Sequence, residues 1–215
     1  MKSVFLSAIV LLTSLTLVAQ TYPDPEFTRE VYYLKKGSTY TLVRLEKNTS
    51  KMENKTKAGG FGGSESGYVF DGDKSPVRLE NGTGISFVYS TASTTVNVSP
   101  HADSVMRSNG ADPNMFSDMT GTVNDPANMM TLYKVESGKG HRTIVFMKTG
   151  GLNPFGSHKQ TSSDKYTFSV RKVRDGYYEL VIDKTLPRGE YAFSLSATAG
   201  ASAMGGTIVY AFAVD

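Results

Sequence analysis

Short runs of alternating apolar and polar residues recur along most of the chain, whereas apolar residues at helical spacing are scarce. Alternation with a period of two predicts β-strands that bury one face. The same runs are rich in the β-branched and aromatic residues that strands favour. The predicted strands lie within residues 30–34, 39–46, 67–72, 76–82, 85–90, 130–148, 165–183, 189–197 and 206–215.

Three of these segments contain turn residues between two alternating arms and are predicted hairpins. An N-terminal β-hairpin turns at Gly37, and a second hairpin turns at residues 138–140 (Gly-Lys-Gly). The third turns at Asp175-Gly176, a dipeptide that strongly favours a two-residue hairpin turn. Strands at short spacing with turns between them predict an all-β fold, an antiparallel β-sandwich.

The sequence LPRGEY, residues 186–191, predicts a tyrosine corner between the two sheets. Leu186 is expected to enter the core, Pro187 and Gly189 to form the bend, and the Tyr191 hydroxyl to bond to backbone upstream. A plain hairpin turn with an incidental tyrosine is the alternative. The corner makes the sandwich immunoglobulin-like.

Residues 99–129 interrupt the strand pattern. This segment holds three prolines and several methionines among small polar residues, and it is longer than an ordinary loop. It is therefore predicted to be a loop-rich insertion, with a short helix near Asp125-Pro126-Ala127. There Asp125 would cap the helix and Pro126 would occupy its first turn.

Residues 1–19 have the pattern of a secretory signal peptide. Lys2 precedes a short apolar run, and Ala19 ends a small-residue cleavage site. A transmembrane anchor is the alternative, but the apolar run is short for a membrane span. The expected product is a single all-β domain of residues 20–215, exported to the periplasm, the cell surface or the medium.

Composition limits the chemistry and the partners of this product. The chain has no cysteine, which excludes disulfides, thiolate nucleophiles and cysteine-ligated zinc. The net charge of +3 is too small to favour nucleic acid as a partner, and no second segment is long and apolar enough for a membrane span.

The glycine-rich sequence GGFGG, residues 59–63, invites comparison with a phosphate-binding loop. A P-loop needs Lys-Ser/Thr after its last glycine and a helix behind it. Here strands are predicted on both sides and the Lys-Ser/Thr step is missing. We therefore interpret the glycines as backbone that passes close to a neighbouring strand or turns with positive φ.

Other candidate chemistry is weak. The histidines His101, His141 and His158 have no ligand spacing, and GSES at 63–66 lacks the helix of a nucleophile elbow. The sequence DGD at 71–73 begins like a calcium loop, but the later ligands do not follow, which favours a β-turn. No catalytic, cofactor-binding or metal-binding residue is assigned, and no cofactor is expected.

Several segments together resemble an uncharacterised domain family of exported bacterial proteins. The resemblance rests on GGFGG with the later KSPVR, residues 74–78, on GEYAFS, residues 189–194, and on the terminal FAVD. It covers roughly residues 30–98 and 125–215, so that residues 99–124 look like an insertion. The family has no assigned activity, and the resemblance therefore implies no site residues.

The expected function is a non-catalytic binding or interaction module of the bacterial periplasm or cell surface, with an unknown protein or glycan as its partner. Two alternatives remain open. One is a hydrolase that acts on glycans or peptides with a site built from loops. The other is a structural subunit of a surface assembly.

Overall fold

The described part of the chain is almost entirely β-structure. A computed structural model describes residues 21–56, 63–80, 82–91, 108, 125–150, 160–195 and 206–215. Its strands form two antiparallel sheets, which confirms the all-β prediction. The predicted signal peptide and most of the 99–129 insertion lie outside the described residues. No helix in the described ranges is long and apolar enough to cross a bilayer.

The strands and the helix are numbered along the chain. They are β1 (Val31–Lys35), β2 (Thr41–Arg44), β3 (Glu46–Thr49), β4 (Lys51–Thr56), β5 (Gly63–Asp71), β6 (Arg78–Leu79), β7 (Ser86–Ser90), α1 (Pro126–Met129), β8 (Met130–Ser137), β9 (His141–Gly150), β10 (Gln160–Thr161), β11 (Lys165–Tyr166), β12 (Phe168–Arg174), β13 (Tyr177–Ile182), β14 (Gly189–Leu195) and β15 (Ile208–Val214).

The five-stranded sheet has the order β12-β13-β7-β1-β2. β1 and β2 pair antiparallel, which confirms the N-terminal hairpin. β12 and β13 form the hairpin predicted at Asp175-Gly176, where Gly176 has a φ of +67°. β7 pairs with β13 on one side and with β1 on the other, and so joins two hairpins that are distant in sequence.

The ten-stranded sheet has the main order β3-β15-β14-β8-β9-β5-β4, with β6, β10 and β11 beside it. The predicted β8–β9 hairpin forms, but its described pairing covers only the turn end, at Glu136–Thr143 and Ser137–Arg142. Beyond the turn, β8 pairs with β14 and β11, whereas β9 pairs with β5 and β10. The hairpin therefore joins two halves of a sheet that otherwise diverge.

The two ends of the ten-stranded sheet meet at Ser50. This buried residue alone separates β3 from β4, the terminal strands of the main order. Its backbone N–H and its hydroxyl each donate to Thr207 O at 2.8 Å. The sheet therefore curls until its ends join. A small apolar cluster packs within the curl, formed by Phe70, Tyr133, Val135, Ile144, Ala192, Val209 and Ala211.

The main core lies between the two sheets. Phe87 of β7 packs against Phe193 of β14 and Phe212 of β15, with ring centroids 5.0 and 4.8 Å apart. All three side chains are fully buried. Burial of each such side chain stabilises the fold by roughly 1.5–3 kcal/mol, so apolar contact across the layer holds the sheets together.

The tyrosine corner is confirmed. The Tyr191 hydroxyl donates to Pro187 O at 2.6 Å, four residues upstream, and the ring is buried. Leu186 is buried, as expected of the residue that enters the core. Gly189 has a φ of +152°, which glycine adopts without the steric cost that other residues incur.

The short helix predicted in the insertion is also present. α1 begins after Asp125, whose side chain accepts a hydrogen bond from Ala127 N at 2.9 Å. Pro126 is the first residue of the helix, where its missing N–H removes no intrahelical bond. The cap and the proline therefore have the roles that the sequence predicts.

The glycine-rich segment is described in part. Gly59, Gly60 and Gly62 lie outside the described residues. Gly63 is buried at the start of β5, opposite Gly150 of β9, and has a φ of +88°. Positive φ was one of the two structural roles predicted for these glycines, and it is confirmed for Gly63.

Gly82 is the glycine that lies against the tyrosine corner. Leu186 N donates to Gly82 O at 2.9 Å, and a Cβ on Gly82 would lie 1.9 Å from Leu186 O. We expect Gly82→Ala to lower the free energy of unfolding by about 2 kcal/mol or more, because the two backbones must separate. Urea unfolding followed by circular dichroism measures this change.

The matched control is Gly150→Ala. No atom lies within 4 Å of the position of its added Cβ. We therefore expect a change of no more than about 0.5 kcal/mol. Equal effects of the two substitutions would contradict the close contact between Gly82 and the corner.

Candidate functional site

One row of side chains crosses the outer face of the five-stranded sheet, the face turned away from the main core. Register places Arg171 of β12 opposite Glu179 of β13, and Glu179 opposite Val88 of β7. Val88 lies opposite Tyr32 of β1, which lies opposite Arg44 of β2. An arginine therefore stands at each end of the row, and each has a carboxylate partner, Glu179 for Arg171 and Glu30 for Arg44.

Glu179 is the central charged group of this face. Its side chain is fully buried, although it belongs to the outer face. Lys36 Nζ lies 2.7 Å from Oε1, and the Tyr22 hydroxyl donates to Oε2 at 2.8 Å. Arg171 donates from Nε to Oε2 at 3.0 Å, and its Nη2 contacts the same oxygen. A buried carboxylate with two cationic partners is stable only in its charged form.

The pKa values of this cluster follow from these contacts. Burial alone would raise the pKa of Glu179. The contacts with Lys36, Arg171 and Tyr22 outweigh burial and lower its pKa from 4.5 to about 2. Burial and the hydrogen bond to Glu179 raise the pKa of Tyr22 to about 12. Near neutral pH, Glu179 is therefore ionised and Tyr22 is protonated.

Three tyrosines surround this carboxylate and form what we call the tyrosine cluster: Tyr22, Tyr40 and Tyr177. The ring of Tyr22 meets Tyr40 edge to face at 5.3 Å and Tyr177 at 6.0 Å. Tyr22 and Tyr40 are half-buried, so part of each ring faces solvent. Partly exposed tyrosines beside fixed charges supply apolar area and directed hydrogen bonds for a bound molecule.

Tyr22 comes from the segment Thr21–Arg29, which we call the strap. No residue of the strap belongs to a strand. The Tyr177 hydroxyl donates to Pro23 O at 2.8 Å, and Arg174 forms an ion pair with Asp24. Phe27 N donates to the Tyr32 hydroxyl at 2.9 Å. The strap therefore lies over the outer face and contacts both hairpins of the sheet.

A second cluster of charges lies in the ten-stranded sheet around Arg142 of β9. This guanidinium is fully buried and donates from Nη1 and Nη2 to Glu46 of β3, at 2.9 and 2.6 Å. It also donates to the carbonyl oxygens of Gly72 and Asp71, at 3.0 and 3.1 Å. It stacks 4.8 Å from the centroid of Phe70. All three nitrogens of the guanidinium therefore donate hydrogen bonds.

Further acidic groups extend this cluster toward the end of the chain. Glu190 Oε2 lies 3.6 Å from Arg142 Nη1 and accepts from Ser75 N at 2.9 Å. Arg78 contacts Glu190 and also forms an ion pair with Asp215. Burial would raise the pKa of Glu46, but the hydrogen bonds from Arg142 and Asn48 outweigh it and lower that pKa. Glu46 is thus another carboxylate fixed in its charged form.

The residues singled out in the sequence occupy other positions. His141 begins β9, where its Nδ1 lies 3.1 Å from Lys139 O, whereas His101 and His158 lie outside the described residues. Gly72, in the middle of DGD, has a φ of +84° and turns its carbonyl toward Arg142. The GSES segment lies within β5, rather than in a strand-to-helix turn.

Within the described ranges, no three His, Asp or Glu side chains gather closely enough to hold a metal ion. The charged groups that do gather, Glu179 and Arg142, were not identified from the sequence. The available signal was a charged residue inside an apolar strand, in YYELVI and in HRTIVF. A buried charge at such a position requires a partner, but the sequence does not show which residue is that partner.

Comparisons of the chain with protein-family models, with curated protein sequences and with solved structures found no match. The resemblance to a family of exported bacterial proteins therefore stays a prediction. The outer face of the five-stranded sheet is the candidate site because it combines partly exposed tyrosines with fixed charges.

The Arg142–Glu46 pair predicts strong energetic coupling. We expect Arg142→Met to lower the free energy of unfolding by about 3–5 kcal/mol, because it leaves buried acceptors without their donor. Arg142→Met combined with Glu46→Met should cost less than the sum of the two single changes, with a coupling of about 2 kcal/mol. Denaturant unfolding of the four proteins measures this cycle.

Lys148→Met is the control for this cycle. Lys148 contacts Glu136 at 3.3 Å on the exposed side of the β8–β9 hairpin. Exposed ion pairs contribute about 0–1 kcal/mol, so this change should have little effect. Strict additivity of the Arg142 and Glu46 substitutions would show that the buried pair does not act as a unit.

Proposed function

We propose that the protein is a non-catalytic binding module of the bacterial periplasm or cell surface, and that it binds through the outer face of its five-stranded sheet. The observation that carries this proposal is the state of Glu179. A general acid or base works best with a pKa near the working pH. The pKa of Glu179 is about 2, so its carboxylate suits the fixing of charges rather than proton transfer.

Export is proposed from residues 1–19 and their signal-peptide pattern. The immunoglobulin-like sandwich is proposed from two observations. The Tyr191–Pro187 bond has the form of a tyrosine corner, and one apolar core contains residues of both sheets. In such folds binding residues lie on loops that a rigid scaffold positions, and Tyr40 lies in the connection between β1 and β2.

The ligand proposed for this face is a protein segment or a glycan. Tyr40 is partly exposed, which suits stacking on a sugar or packing on an apolar side chain. The neighbouring charges on Lys36 and Arg171 are partly exposed as well, at 39% and 61% of their side chains. These groups supply directed polar contacts around the aromatic surface.

The test compares binding and turnover on one panel of soluble bacterial envelope glycans and peptides. Tyr40→Ala should weaken binding of a ligand from the panel at least tenfold, about 1.4 kcal/mol, because it removes the partly exposed ring beside the fixed charges. Biolayer interferometry measures binding, and mass spectrometry of the panel after incubation measures turnover.

The matched control is Met147→Ala, which removes an apolar side chain that is 40% exposed on β9 of the other sheet. Binding should not change in this variant. Cleavage of a panel member by the unmodified protein would contradict the proposal and favour a hydrolase. Equal losses of binding in the two variants would place the site elsewhere.

A further inference from the structure

The strap crosses the five-stranded sheet from one edge to the other. Tyr22 contacts Arg171 of β12 and Glu179 of β13, whereas the ring of Phe27 lies 4.6 Å from the guanidinium carbon of Arg44 in β2. Five strands span about 19 Å between the outermost axes. Five residues in an extended conformation cover about 16 Å. A segment of this length therefore reaches across the strands, with a bend at Glu26-Phe27 and a turn at Thr28-Arg29.

The composition of the strap explains why it lies across the sheet instead of joining it. Pro23 and Pro25 have no backbone N–H and cannot donate to a strand ladder. The strap contacts the face through other groups. These are the Tyr22 phenol, the Pro23 carbonyl oxygen, the Asp24 carboxylate and the Phe27 ring. Peptide-binding faces recognise a bound segment through contacts of this kind with its side chains.

The charges of the strap and of the face are complementary. The strap carries Asp24 and Glu26 between its two aromatic residues. On this face Arg171 pairs with Glu179 and Arg44 pairs with Glu30, whereas Arg174 of β12 pairs with the strap. Arg174 forms an ion pair with Asp24 and stacks 4.4 Å from the centroid of Tyr177. The position of Asp24 therefore favours an acidic residue over a basic one.

The strap ends at a distinct backbone position. Arg29 has a φ of 60°, in the left-handed region that a residue other than glycine rarely adopts. Its N–H donates to Ser90 O, and its carbonyl accepts from the Tyr210 hydroxyl, both at 2.6 Å. β1 begins two residues later. These two bonds fix the position of the backbone between the strap and β1. They do not depend on the contacts made by residues Tyr22 to Phe27.

We propose that the outer face of the five-stranded sheet recognises acidic, proline-containing peptides with an aromatic residue at each end. The strap is the occupant supplied by the chain itself, and a partner protein with such a segment displaces it. This inference rests on the proposed binding function and names its partner class. The partner peptide places one ring against Tyr40 and Tyr177, where the ring of Tyr22 lies, and a carboxylate against Arg174.

The test uses a labelled synthetic peptide with the sequence of residues 21–28 and the full chain carrying Tyr22→Ala. Loss of the Tyr22 ring and hydroxyl weakens the strap, whose tethering otherwise gives it an effective concentration of about millimolar. The peptide should bind the variant at least tenfold more tightly than the unmodified protein, as measured by fluorescence anisotropy. A peptide with lysine in place of both acidic residues should bind more weakly than the acidic peptide.

Two further substitutions test the proposal if Tyr22→Ala does not fold. Asp24→Ala removes the ion pair between the strap and Arg174. The Asp24 side chain is 85% exposed, and the variant should also bind the peptide more tightly than the unmodified protein. Addition of Arg174→Glu to either variant should abolish that binding. Absence of saturable binding by a folded variant, or equal binding of the lysine peptide, would overturn the proposal.

Two further outcomes have distinct meanings. A concentration-dependent dimer that does not bind the peptide would overturn the proposal. It would indicate that the face binds the strap of a second copy of the chain. Loss of panel binding in Tyr40→Ala without any peptide binding would overturn only the peptide class. In that case the binding function of the face would stand.

Discussion

The buried guanidinium of Arg142 is the interaction on which the ten-stranded sheet depends. The β8–β9 hairpin pairs only next to its turn in the described residues, so strand pairing holds the two halves of this sheet weakly there. Arg142 crosses that gap. It bonds to Glu46 at the β3 edge and to the Asp71-Gly72 backbone after β5. Its desolvation is offset only when all of these acceptors are in place, which fixes the curl of the sheet.

The strand pattern and the turns were predictable because their causes are local. Alternation of apolar residues identifies strands, and Asp175-Gly176 and Asp125-Pro126 determine a turn and a helix start within a few residues. The tyrosine corner is also local, since Tyr191 bonds only four residues upstream. Sheet membership was not predictable, because the divergence of β8 from β9 depends on competition from distant strands such as β14 and β5.

The candidate site was less accessible to sequence reasoning, for the same physical reason. Alternation in YYELVI places Glu179 on the outer face of its strand, where a solvated carboxylate is the ordinary expectation. Its burial results from Tyr22, which lies 157 residues away along the chain. The strap itself has no strand or helix pattern. A segment that packs through individual side chains gives no periodic signal, so the contact that completes the site became visible only in the structure.

The central claim is that Glu179 is fixed in its charged form on the face that we propose for binding. Because the pKa of Glu179 is lowered by folding, its charge stabilises the protein above about pH 4.5, and this stabilisation is lost as the pH falls toward 2. Carbon-13 NMR titration of the glutamate carboxyl groups measures these pKa values directly. We expect Glu179 to remain ionised to about pH 3 and Glu46 to titrate below 4.5. A Glu179 carboxyl that titrates near neutral pH would contradict the account, because it would provide the acid or base that a hydrolase requires.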